Sequence, residues 1–238
     1  MFTALVVYIV TGIILSFLGV SPLVCTVFSN LVLCMFCLLV LEVMPFTLRF
    51  YRNVRQNHLS CVFLLFFVWL SGQTFATWYY TRFGDASFDL YSDTLQSHSF
   101  LLYAVLVVFL APLTEELFVR GLLFGLFQQF LPVWVSAVVS SFLFALFHGT
   151  AVHFYGAFLA GLCFTFAYQV THRLTVAVLL HAAYNAYTVI QSVCGFRYSS
   201  FFFSFPFVVF LAVVTVCYLG FLYYYEEFVL KQDADSMN

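Results

Sequence analysis

The segment Ala111-Pro112-Leu113-Thr114-Glu115-Glu116-Leu117-Phe118-Val119-Arg120 sets three ionisable groups inside an apolar run. In hydrocarbon each such group costs roughly 2.5–3.5 kcal/mol at a helix centre, so it must face a cavity or a partner. Glu116 and Arg120 stand at i, i+4 with the acid on the N-terminal side, the favoured order for a helical ion pair. Pairing them leaves Glu115 over, about 100° around the helix and aimed at a different neighbour. One carboxylate is then structural and the other open to chemistry. A purely structural Glu–Arg clasp between two helices is the competing reading.

Two histidines also fall within apolar runs. His148 closes Phe144-Ala145-Leu146-Phe147-His148, and His181 opens His181-Ala182-Ala183-Tyr184-Asn185. His181 and Asn185 share one helix face at i, i+4 and can offer two hydrogen-bond donors to one cavity. Buried packing histidines are the ordinary alternative. Pro132 marks a turn between two runs, with Glu115 17 residues before it and His148 16 after it. At 1.5 Å per residue both lie about 25 Å from that turn. A tight hairpin therefore brings a carboxylate and an imidazole to the same depth, where they can activate a water as general base and acid. His181 and Asn185, from a third helix, can then stabilise an oxyanion.

The ordered set E-E-x-x-x-R (Glu115, Glu116, Arg120), F-x-x-x-H (Phe144, His148) and H-x-x-x-N (His181, Asn185) resembles the CAAX-processing and bacteriocin-processing membrane proteases, the type II CAAX prenyl endopeptidase or Abi family. The resemblance covers about residues 100–190 and departs from the pattern at none of the seven positions. It implies an intramembrane, glutamate-dependent endopeptidase. Glu115 would activate the attacking water with help from His148. His181 and Asn185 would stabilise the oxyanion, Glu116 and Arg120 would form the supporting ion pair, and Phe144 would pack beside His148. The implied substrates are membrane-associated peptides or proteins, either prenylated CAAX chains or bacteriocin-like peptides. No cofactor is required on this reading; zinc held by Glu115, His148 and His181 is the minority alternative.

Elements able to hold such a site follow from composition. Of 238 residues 64% are hydrophobic and 8% charged, with 34 Phe and mean hydropathy +1.05. Soluble domains carry about 25% charged residues, so lipid must be the solvent for most of these side chains. An ordinary cytosolic globule, a disordered chain and a nucleic-acid binder are excluded. Apolar runs at about 2–20, 22–43, 59–80, 99–130, 133–149, 151–170, 175–193 and 206–225 predict an all-α integral membrane bundle of about eight transmembrane helices. Unbroken stretches such as 101–110 do not alternate as a membrane β-barrel requires. The 32-residue run 99–130 is about 48 Å long as a helix, so tilt or a break at Ala111-Pro112 is expected. Ser21-Pro22, Leu131-Pro132 and Ser204-Phe205-Pro206 punctuate the runs.

The chain reads as a single membrane domain, 1–238, without repeats. Its first run lacks a basic flank and an A-x-A site, and so reads as a span rather than a cleavable leader. With eight spans, Arg49, Arg52, Arg55, Arg173 and Lys231 share the side of both termini, against Arg82 and Arg197 opposite. That bias places both termini in the cytoplasm, in a cell (inner) membrane. Cys34 and Cys37 form C-x-x-C inside an uninterrupted run and read as packing residues. His58, His98, His153 and His172 read as interfacial.

H-E-x-x-H and G-x-S-G are missing from the sequence, and every Asp falls in a loop or the tail, which disfavours zinc, rhomboid-like serine and aspartyl chemistries. A non-catalytic immunity or scaffold protein of the same family is the main alternative. A small transporter is less well supported, because the internal repeats or paired broken helices typical of that class are not evident.

Overall fold

The structure, a computed structural model, describes residues 2–19, 22–43, 58–84, 100–194, 205–218 and 220. Arg49, Arg52, Arg55, Asp85, Asp89, Asp93, His98, Arg197 and Lys231, on which much of the charge reading rests, lie outside the described residues. Each apolar run forms a helix: α1 (Phe2–Phe17), α2 (Pro22–Val43), α3 (His58–Phe83), α4 (Phe100–Phe127), α5 (Val133–Leu146), α6 (Ala151–Thr171), α7 (Leu174–Cys194) and α8 (Phe205–Tyr218). No strand occurs among the described residues. Apolar length dictates this: in hydrocarbon only a helix satisfies its own backbone within one segment.

The helices differ in length. By length and composition, three are fit to cross a bilayer: Val24–Leu41 of α2, Phe100–Phe127 (α4) and Ala151–Gln169 of α6. Helix α5 has 14 residues and spans about 21 Å, short of a ~30 Å hydrocarbon core. The protein is a helical membrane bundle that combines three such spans with several shorter apolar helices among the described residues.

Of the two ways to fit the long fourth run, the break is not taken, and the place of His148 needs correction. Helix α4 does not break at Ala111-Pro112. It continues by changing pitch: π-helix over Leu106–Leu110, α over Ala111–Glu116, and π again over Leu117–Phe124. In the first π segment the Ala111 N–H bonds back to Leu106 O, five residues away. The next donor in that register would be Pro112, which has none, so Val107 O is left without its helical donor. His148, expected inside the fifth run, lies beyond the end of α5 in the turn to α6. Gly149 at φ +69° ends α5, a left-handed conformation that glycine adopts without a Cβ clash. Thr150 then caps α6, its hydroxyl oxygen accepting the His153 N–H at 3.1 Å.

Helix α6 is the hub. It packs against α3, α5 and α7, while α2 packs on α1 and on the second π segment of α4. Helix α8 meets α3 through Trp78–Phe205 and Phe67–Tyr218. Cys37 is buried and Cys34 half-buried in the apolar cluster between α2 and α4, with no disulfide at either. The periphery is apolar, with Phe17 89% and Leu101 75% exposed, whereas Glu116 and Arg120 are wholly buried. Hydrocarbon outside and charge inside is the arrangement lipid imposes.

Candidate active site

Arg120 rises from the second π segment of α4 with its whole surface buried. A guanidinium in such a place must find partners for its fork of donors. Nη1 donates to Glu116 Oε1 at 2.8 Å, Nη2 to Gly161 O at 2.7 Å, and Nε to Thr165 Oγ1 at 3.3 Å. Phe144 and Phe164 cover its two sides, their ring centres 5.0 and 5.5 Å from Cζ. The expected Glu116–Arg120 pair therefore forms and fastens α4 to α6.

Glu116 also holds His181. Its Oε1 lies 2.8 Å from His181 Nδ1, and a carboxylate can only accept, so Nδ1 carries the proton. The imidazole stacks on Phe164 (4.8 Å, 20°) and takes Phe144 edge-on (5.6 Å, 89°). Its other nitrogen, Nε2, points to Glu115 and lies 3.8 Å from Oε2. One imidazole thus stands between two adjacent carboxylates, fixed by the buried one and facing the open one.

Glu115 is the accessible member of the pair, its side chain 34% exposed against 0% for Glu116. It borders two cavities. One, of about 390 Å³, is walled by α3, α4, α5, α6 and α7 and includes His148, His181 and Asn185. The other, of about 450 Å³, opens toward α1 and α2 past Tyr8, Asn30 and Leu33. Glu115, Phe144 and His148 line both and form the partition. His148 Nδ1 donates to Phe144 O at 2.9 Å, so in the neutral ring Nε2 is the acceptor. Phe144 meets His148 edge-on at 4.7 Å, the packing expected of it. Behind Glu115, Thr114 Oγ1 donates to Asn30 Oδ1 at 2.9 Å and ties α4 to α2.

Asn185 departs from expectation. It lines the first cavity, but its Nδ2 already donates to Val107 O at 2.9 Å. That is the carbonyl left bare by the π register and Pro112. The donor of His181 at Nδ1 is likewise engaged, by Glu116. Both side chains reach the cavity as tethered groups rather than as free donors.

All seven sequence-derived residues therefore meet at one place, and several neighbours join them. His153, expected at the interface, sits on the cavity wall with Nδ1 2.8 Å from Thr150 Oγ1. Tyr184 and Thr188 extend the His181–Asn185 face at i+3 and i+7, a helical spacing that would have revealed them. Gln73, the single carboxamide in α3, also lines the cavity; no local motif marks it.

No three His, Cys, Asp or Glu side chains converge to hold a metal among the described residues, although Glu115, His148 and His181 share a cavity.

Comparison with known proteins bears on the same segment. No curated protein and no solved structure matches the chain. Residues 97–187 match a family model, Type II CAAX prenyl endopeptidase Rce1-like, a stretch running from just before α4 to two residues beyond Asn185. That stretch contains Glu115, Glu116, Arg120, Phe144, His148, His181 and Asn185. Residues 97–187, which supply the polar centre of this helical membrane bundle, are thus similar to the Rce1-like type II CAAX prenyl endopeptidase family.

Proposed function

We propose that this protein is a membrane-embedded endopeptidase that hydrolyses peptide bonds of membrane-associated substrates, of CAAX-prenylated or bacteriocin-like type, with a water activated by Glu115 and His148. One observation carries the reading: Glu115, His148, His181 and Asn185, from three parts of the chain, border one cavity inside the bundle. The Nδ1–H of His148 is committed to Phe144 O, so Nε2 is a lone pair available to a water beside Glu115. The water oxygen attacks the peptide carbonyl as its proton passes to this pair. Collapse of the tetrahedral intermediate returns a proton to the departing amine.

The developing oxyanion is met by His181 and Asn185. Because His181 Nδ1–H is held by Glu116, His181 can donate to the oxyanion only through Nε2, and only with a proton on each ring nitrogen. Asn185 keeps one amide hydrogen beyond that given to Val107 O. Donors fixed before the substrate arrives need no reorganisation, which is what makes such stabilisation effective. Glu116 and Arg120 position these groups. No metal-dependent step is part of this scheme. The protein would reside in the cell (inner) membrane with both termini in the cytoplasm.

The test is cleavage of a prenylated CAAX peptide by purified protein in detergent. Glu115→Ala and His148→Ala should each abolish cleavage while the protein still inserts and purifies as the wild type does. Undiminished cleavage by Glu115→Ala would sink the mechanism.

A further inference from the structure

A peptide cannot be cut as a helix, so a substrate drawn into this bundle must present at least one unwound peptide unit. Away from water each bare N–H or C=O costs several kcal/mol. The enzyme must therefore supply hydrogen-bond partners to the main chain beside Glu115. Most polar side chains on the 390 Å³ cavity are already occupied. His148 is bonded to Phe144 O, His181 to Glu116, Asn185 to Val107 O, Thr188 Oγ1 to Tyr184 O, and Thr150 to His153. Two stand apart. The Gln73 carboxamide and the Tyr184 hydroxyl line the cavity and have no hydrogen-bond partner among the described residues.

We propose that Gln73 and Tyr184 form a subsite for the substrate's main chain, holding the unwound peptide unit next to the scissile bond; this rests on the endopeptidase reading. A carboxamide carries a donor and an acceptor in one plane, which matches the acceptor and donor of a peptide unit. The phenol adds a donor. Tyr184, from α7, sets its hydroxyl at the close crossing of α3 and α6, one residue along α3 from Gln73. A Cβ on Gly72 would stand 2.9 Å from Tyr184 Oη and 3.2 Å from Gly156 Cα, and a Cβ on Gly156 would stand 3.2 Å from the same hydroxyl. Glycine at both positions leaves the phenol room over the helix crossing. Tyr184 also follows His181 by three residues and precedes Asn185 by one, so the subsite adjoins the reacting atoms. Gln73 lies outside residues 97–187, so on this proposal α3 contributes recognition that the matched segment by itself lacks.

The experiment measures both binding and cleavage of a fluorescent prenylated CAAX peptide and of analogues N-methylated at one backbone nitrogen each. Binding is read in the cleavage-deficient Glu115→Gln protein, cleavage in the otherwise wild-type protein. Gln73→Leu and Tyr184→Phe should each weaken binding about tenfold, the loss of roughly one hydrogen bond. Each should raise KM with kcat nearly retained. One N-methylated analogue should bind about tenfold more weakly to the Glu115→Gln protein yet lose nothing further in Gln73→Leu, an insensitivity that a merely structural role would not produce. Binding within twofold of the parent in both variants overturns the subsite even if Glu115→Ala abolishes cleavage. Gln73-dependent binding without any cleavage upholds the subsite and overturns the endopeptidase reading.

Discussion

The Glu116–Arg120 pair gives the sharpest energetic test, because both side chains are completely buried and Glu116 Oε1 serves two partners. Glu116→Gln keeps the volume and an acceptor oxygen but removes the charge. It also places an NH2 group at or opposite Oε2, an atom with no hydrogen-bond partner in the described structure. Arg120 is then a buried cation without its carboxylate, held by neutral acceptors (the introduced carboxamide oxygen, Gly161 O and Thr165) and two aromatic faces. Breaking a buried pair by removing one partner costs about 3–5 kcal/mol, whereas replacing both by apolar groups is often neutral or better. Gly161 O keeps the Thr165 hydroxyl at 2.9 Å if the guanidinium is lost.

Glu116→Gln and Arg120→Met should therefore each lose about 3–5 kcal/mol, and the double variant should recover most of it, a coupling of about 3 kcal/mol or more. Equilibrium unfolding in mixed micelles, followed by loss of helical signal, supplies the cycle. Cleavage should stay lost in the double variant, since His181 Nδ1 no longer faces a carboxylate. Single losses below about 1 kcal/mol, or a double variant that loses their sum, would refute the argument from burial.

Other outcomes follow from the same geometry. Asn185→Ala should cost about 1–3 kcal/mol by baring Val107 O, and adding Pro112→Ala, which restores a backbone N–H, should recover stability but not cleavage; recovery of both would deny Asn185 any part in the chemistry. Gly161→Ala puts a Cβ 3.0 Å from Ser141 Cβ and 3.2 Å from Phe144 Cδ1, so thermal unfolding should register about 1–3 kcal/mol of overpacking between α5 and α6, with cleavage slowed as Phe144 shifts. A chelator series should leave the cleavage rate unchanged; loss reversed by added Zn²⁺ would require a metal-dependent step after all.

The sequence by itself determined the helices and most of the site. Scarce charge and long apolar runs leave the backbone no alternative to helix, and every run from 2–20 to 206–225 is a helix in the described structure. Glu115, Glu116, Arg120, His148, His181 and Asn185 stand out because lipid makes such groups expensive. Their partners were less legible. That Glu116 would hold His181 from 65 residues away, and that Asn185 would cap Val107 O from 78 away, depends on which helix faces meet. The π register of α4 depends on it too, since extra turn width is tolerated where α7 supplies the missing donor. Gln73 carries no local signal; only the α3–α6 crossing at Gly72 and Gly156 brings it to the cavity. Local composition prices a residue's burial, whereas its partner is chosen by packing between distant segments.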